Sequence, residues 1–231
     1  MTSDAARLIE ERGIALISFD LDDTLVDTDG AAPVRVDAAV RRALEVIEGV
    51  NRDLLELARE RAVAADPVVD GRLVVLFDIL GIEGDSTAGR AIRAAYNAPL
   101  PDVLQWVEGA PELLARLRGR YRLGVVTNGP SEIQRPKVEK FGLADLVDHI
   151  VVSGEVGAHK PDPAIFRHLL AEAGIEAAAA VHIGDSLHSD VTGARAAGMN
   201  AVWFPPRHRK PEPLTEDAPR PDAILASLAD L

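Results

Sequence analysis

From Gly109 to the C-terminus, short apolar runs alternate with amphipathic stretches, and this alternation restricts the fold more than any other feature of the chain. Arg122–Val126, Ile150–Val152, Ala180–Ile183 and Ala201–Trp203 read as strands. Pro111–Leu117, Ser131–Phe141, Pro163–Ala173, Ser189–Ala197 and Asp222–Leu231 read as helices. Pro136 should make the Ser131–Phe141 helix start late or kink, because its ring removes a backbone donor. An earlier run, Ile14–Phe19, is apolar on both faces, as a strand buried in a parallel sheet must be. Strands separated by helices make βαβ units, so the expected class is α/β with a doubly wound, Rossmann-like parallel sheet.

Residues 34–98 break the pattern. Val36, Val40, Ala43, Leu44 and Ile47 recur at helical spacing, followed by Leu54, Leu55, Leu57 and Ala58, then Leu73, Leu76, Phe77 and Leu80. Gly49, Pro67, Gly81 and Gly84 are natural breaks between these helices. The expected organisation is a core domain formed by residues 1–29 and 99–231, split by an all-helical insertion at 30–98. Its linkers, Asp27–Pro33 and Pro99–Asp102, contain the proline or glycine suited to hinges. Six prolines between Phe204 and Asp222 mark a loop.

Composition removes several function classes. The chain has 231 residues, with 25 Lys plus Arg against 37 Asp plus Glu and a formal net charge of −12. Such a surface repels a nucleic-acid polymer and an anionic membrane, so neither is an expected partner. Cysteine is absent, which excludes disulfides, thiolate catalysis and Cys-ligated metals. The N-terminus carries charge where a signal peptide needs an apolar stretch, and a cytoplasmic location is expected. Only four lysines occur, Lys137, Lys140, Lys160 and Lys210, so lysine chemistry must come from the second half. No GxG, Walker A or GxSxG pattern is present, which sets aside dinucleotide, P-loop and serine-hydrolase chemistry.

Four polar clusters lie at or just beyond strand ends: Asp20-Leu21-Asp22-Asp23-Thr24, Thr127-Asn128-Gly129, Lys160-Pro161, and Gly184-Asp185 through Asp190. In open parallel sheets, ligands bind beyond those ends. In extended backbone Asp20 and Asp22 would point to one side, about 6.6 Å apart at Cα. Two such carboxylates can divide labour as nucleophile and as acid and base. Adding Asp185 and Asp190 concentrates negative charge that demands a cation, and an all-oxygen ligand set suits Mg²⁺. With Lys160 and Thr127 to hold an anion, the assembly points to phosphoryl transfer through an aspartyl phosphate.

In this order and context the clusters resemble the DxDxT, [ST]N, KP and GDxxxxD motifs of the haloacid dehalogenase superfamily. The stretches Val125–Pro130, Gly154–Phe166 and Ile183–Asp190 carry the resemblance, and the helical insertion resembles that superfamily's C1 cap. The resemblance implies Asp20 as nucleophile, Asp22 as general acid and base, and Thr127, Asn128 and Lys160 around the phosphate. It also implies Mg²⁺ on the Asp20 carboxylate, the Asp22 main-chain carbonyl and Asp185, with Asp190 in the outer shell. Asp23 stands where the superfamily often has glycine, and no role carries over to it. The wording of the motifs is similar to nucleotidase and N-acylneuraminate-9-phosphatase-like members. A phosphatase of small phosphorylated metabolites is expected, with a sugar-phosphate mutase or a non-catalytic phosphometabolite-binding protein as alternatives.

A dehalogenase would lack Asp22, and a phosphonatase would need a cap lysine that residues 30–98 do not contain. His182, Trp106 and Trp203 are expected in the core, with His188 and the arginines Arg52, Arg59 and Arg61 facing solvent.

Overall fold

The computed structural model describes residues 3–65, 71–98, 100–208 and 220–231. It divides into two compact units, Met1–Asp27 with Gln105–Leu231, and Thr28–Leu104. The chain opens with helix α1 (Asp4–Glu11), capped by the Ser3 hydroxyl accepting from Ala6 N. Strand β1 (Leu16–Phe19) follows, then a tight turn and the short strand β2 (Val26–Asp27).

The second unit is helical among its described residues. Its principal helices are α2 (Ala32–Val46), α3 (Arg52–Ala64), α4 (Gly71–Leu80) and α5 (Thr87–Asn97), and the short α6 (Leu100–Val103) ends it. Helix α2 packs on α3 and α5, and α3 packs on α4. Leu55, Ala58 and Ala62 form the inward stripe of α3, while Leu54 and Leu57 face outward. Arg72 and Asp29 make a buried ion pair at 2.8 Å. Pro67, and Pro99 in the expected second linker, fall outside the described residues.

The first unit resumes with β3 (Gln105–Trp106), which pairs antiparallel with β2. Then come α7 (Ala110–Leu117), β4 (Arg122–Thr127), α8 (Ser131–Lys140), β5 (His149–Val152), α9 (Ser153–Val156) and α10 (Pro163–Ala173). Strand β6 (Ala180–Gly184), a π-helical segment Leu187–Thr192, α11 (Gly193–Ala196), β7 (Asn200–Trp203) and β8 (Ala223–Ile224) complete it. Six strands form one parallel sheet in the order β5-β4-β1-β6-β7-β8. Leu16, Val126, Phe166, Leu169 and Trp203 belong to one continuous core cluster beneath α10. After β1 the chain builds outward through β4 and β5, then returns to build β6 and β7 on the other side. The reversal leaves a crevice beyond the carboxyl end of β1, and the sheet presents its polar strand ends there.

Three local expectations differ from the structure. The Asp222–Leu231 segment is not a helix: Ala223–Ile224 adds a parallel strand to β7, and only Leu228–Asp230 forms a 3₁₀ turn. The edge of β7 decides this. Asp222 N and Leu225 N donate to the carbonyls of Ala201 and Trp203 at 2.8 and 2.9 Å, so tertiary pairing overrides local helical preference. The Ser189–Ala197 stretch is split into the π-helical segment and α11, with Asp190 turned inward. Helix α8 starts at Ser131 despite Pro136, its first turn anchored by Ile133 N and Gln134 N on the Pro130 carbonyl. Trp106 is half-buried, edge-on to Phe141 at 4.7 Å. Most of the proline-rich loop, residues 209–219, lies outside the described residues, as does Lys210. Among the described residues no helix is long and apolar enough to cross a membrane.

Phe166 is fully buried, whereas Ile224 is 46% exposed on the edge strand. Phe166→Ala should destabilise the protein by about 3–5 kcal/mol, and Ile224→Thr by no more than about 0.5 kcal/mol. Urea denaturation followed by circular dichroism reads both, and equal losses would contradict the packing described.

Candidate active site

Asp20 is the first residue past β1, and its N–H still donates to Ile183 O at 2.9 Å, so the sheet fixes its position. The chain then turns sharply. Leu25 N and Val26 N both reach back to Leu21 O, and Asp23 N reaches Val26 O. The turn places Asp23 at φ 61°, the left-handed region that glycine tolerates best, with asparagine and aspartate next. This backbone requirement accounts for a residue to which the sequence attached no role.

Lys160 is buried, and its Nζ donates to Asp20 Oδ1 at 2.5 Å and Asp190 Oδ1 at 2.7 Å. Asp190 also accepts from Ser186 N at 3.0 Å through Oδ2, and its Oδ1 lies 3.1 Å from His182 Nε2. Ser18 Oγ sits 2.9 Å from His182 Nδ1, fixing the imidazole from behind. Gly184 makes this approach possible, because a Cβ there would lie 2.2 Å from Asp190 Cγ. Ligand oxygens of Asp20, Asp185 and Asp190 come within 4.8 Å of one another. Trp203 Nε1 donates to Asp185 O at 2.8 Å and holds the third carboxylate's backbone.

The charges respond to this crowding. Burial pushes the Asp20 carboxyl up to about 7 against the pull of Lys160, with Asp190 and Asp22 adding repulsion. Burial by itself lowers the Lys160 ammonium, yet attraction to Asp190 and Asp20 outweighs it and holds the lysine above its ordinary value. Burial opposes ionisation of Asp190 as well, and Lys160 and His182 overcome it, leaving that carboxyl below the usual range. Desolvation lowers His182, favouring the neutral ring. One ammonium among three carboxylates leaves negative charge that a divalent cation would neutralise. Hard oxygen donors within 4.8 Å of each other fit such an ion. Because both Asp190 oxygens already have partners, it is better suited to orienting Lys160 than to binding the ion.

Thr127 ends β4 and is buried. The Asn128 side chain exchanges two hydrogen bonds with the Lys160 main chain, donating to its carbonyl at 3.0 Å and accepting from its N–H at 2.8 Å. That amide therefore fixes the lysine's loop against β4. The Asp22 carboxylate is gripped by Lys137 Nζ at 2.6 and 2.9 Å and by Gln134 Nε2 at 2.9 Å. Sequence reasoning missed Lys137 and Gln134 and treated His182 only as core. The available signals were the scarcity of lysine and two polar residues three apart on a helix face shared with buried Val138. His188 is exposed, as are Arg52 and Arg61.

Known proteins resemble this chain in sequence and in fold. The model of the haloacid dehalogenase-like hydrolases matches residues 14–198. The glyceraldehyde 3-phosphate phosphatase of Pyrococcus abyssi is 34% identical over 200 residues, covering 83% of this chain and 81% of its own. The pyrimidine 5'-nucleotidase YjjG of Escherichia coli is 31% identical over 201 residues, covering 84% and 87%. The magnesium-bound crystal structure of YfnB from Bacillus subtilis matches with a TM-score of 0.72 at 24% identity, over 94% of this chain and 96% of that one. A Thermotoga maritima protein described as a beta-phosphoglucomutase matches with a TM-score of 0.70 at 21% identity, over 92% and 94%. These two structural likenesses speak to the fold alone. With the family model spanning both β1 and the last acidic cluster, the chain belongs to the haloacid dehalogenase-like hydrolases.

Proposed function

We propose that this protein is a Mg²⁺-dependent phosphomonoester hydrolase acting on small phosphorylated metabolites through an aspartyl phosphate on Asp20. The observation that carries the reading is the buried Lys160 ammonium bridging Asp20 and Asp190 beside Asp185. The phosphatase and nucleotidase relatives support the reaction class. The mutase alternative draws on a shared fold.

In this mechanism an Asp20 oxygen attacks phosphorus and the P–O bond to the alcohol breaks. Asp22 gives its proton to the departing oxygen, then takes one from the water that attacks the phosphorus of the Asp20 phosphate. Inorganic phosphate leaves and Asp20 is regenerated. Lys160, the Thr127 hydroxyl and the Asn128 backbone N–H hold phosphoryl oxygens, and Lys160 also keeps Asp20 oriented. The Asp20 and Asp185 carboxylates with the Asp22 carbonyl would hold Mg²⁺, which neutralises carboxylate and phosphoryl charge together. Asp190 keeps Lys160 in place.

Two predictions follow from the charge balance and the division of labour. In the metal-free protein the native state resists ionising Asp20, so its contribution to stability falls as pH rises from 3.8 through about 7. Mg²⁺ must compete with that proton, so its stabilisation should be small near pH ~5 and large near pH ~8. Thermal melts with and without Mg²⁺ test this, and Asp20→Asn should remove the pH dependence. Stabilisation equal at both pH values would contradict the assignment. In turnover, Asp20→Asn should abolish phosphate release and Asp22→Asn should lower it about 10²–10⁴-fold. Wild-type protein should release inorganic phosphate in step with the alcohol. Isomerised sugar phosphate without free phosphate would overturn the hydrolase reading.

A further inference from the structure

Helix α8 faces the site with two side chains that the mechanism above does not use. Lys137 is 6% exposed, and its ammonium meets both oxygens of Asp22, at 2.6 and 2.9 Å. Gln134 is 2% exposed, and its Nε2 lies 2.9 Å from Asp22 Oδ2, 2.7 Å from Thr127 Oγ1 and 2.6 Å from Asn128 O. The orientation of this amide follows from chemistry. Turning it over would set its oxygen against a carboxylate and a carbonyl, which only accept hydrogen bonds. An amide nitrogen accepts no hydrogen bond, so beside Gln134 Nε2 the threonine hydroxyl keeps its own hydrogen to give to another acceptor. Gln134 Oε1 is buried without a hydrogen-bond partner, so the residue keeps this arrangement at the expense of its own acceptor. Gly129, at φ 139°, gives it room, since a Cβ there would come 3.1 Å from Gln134 Cγ.

We propose that Lys137 and Gln134 are positioning residues that hold the Asp22 carboxylate where it serves the leaving group, with Gln134 tying that orientation to the phosphate-holding hydroxyl of Thr127. A carboxylate held at both oxygens loses rotational freedom, and general acid catalysis depends on that placement. The proposal rests on Asp22 being the acid and base. It goes further by assigning the alignment of the acid to one face of α8.

The test compares p-nitrophenyl phosphate, whose leaving group needs no proton, with glycerol 2-phosphate, whose leaving group does. Lys137→Met keeps the side-chain length and removes the charge. It should lower kcat/KM, which reports the alcohol-releasing step and not the later hydrolysis common to both esters, about tenfold or more on glycerol 2-phosphate and little on p-nitrophenyl phosphate. Lys137→Arg should recover most of the loss, and Gln134→Met should show the same split more weakly. Equal losses on both esters would overturn the proposal. Should Lys137→Met fail to fold, Gln134→Met carries the same comparison. Asp22→Asn in the same assay keeps the two ideas apart. If that variant shows no leaving-group split, the acid assignment has failed. If it shows the split and the α8 variants do not, the positioning role has failed alone.

Discussion

A single ammonium in a buried, acidic pocket organises this protein's site. Lys160 contacts Asp20 and Asp190 at 2.5 and 2.7 Å with its side chain only 3% exposed. Removing either carboxylate would leave a poorly compensated buried charge, and removing the lysine would leave carboxylates repelling one another. The surroundings serve this arrangement. Asn128 fixes the lysine's backbone, while His182 and Ser186 N fix Asp190. Gly184 admits Asp190 beneath the strand end, where no side chain would fit.

The sheet supplies the stage. Strand β1 lies between β4 and β6, so the first acidic motif, Thr127 and the last acidic cluster emerge side by side although far apart in sequence. The π-helical segment after β6 carries Asp190, whose carboxylate meets Lys160. Two polar systems result. One runs through Asp20, Lys160, Asp190 and His182, and the other links Asp22, Lys137, Gln134 and Thr127.

Much of this was legible in the amino-acid sequence because strand ends in parallel sheets announce themselves: an apolar run stops and a polar cluster begins. Asp20, Thr127 and Asp185 could be placed in one crevice on that rule, without knowledge of contacts. Lys137 and Gln134 could not, because they lie within a helix whose inward face is defined only by what it packs against. The carboxyl-terminal strand was hidden for a related reason. Ala223–Ile224 extends only because β7 has an open edge to offer, and the local pattern of small and apolar residues resembles a helix. Asn128 shows a subtler limit: its place beside Thr127 at the end of β4 was readable, but its reciprocal bonding with the Lys160 backbone required coordinates.

The central claim is that Asp20 becomes covalently phosphorylated while Lys160 remains at its side. Turnover of a phosphomonoester with Mg²⁺ by the slowed Asp22→Asn variant, quenched in acid and digested under acidic conditions, tests it most directly. Mass spectrometry should then find one added phosphoryl group on the peptide containing Ile14–Leu25, localised to Asp20, and none after treatment with hydroxylamine. Phosphate released with no such adduct, or an adduct on another residue, would contradict the account.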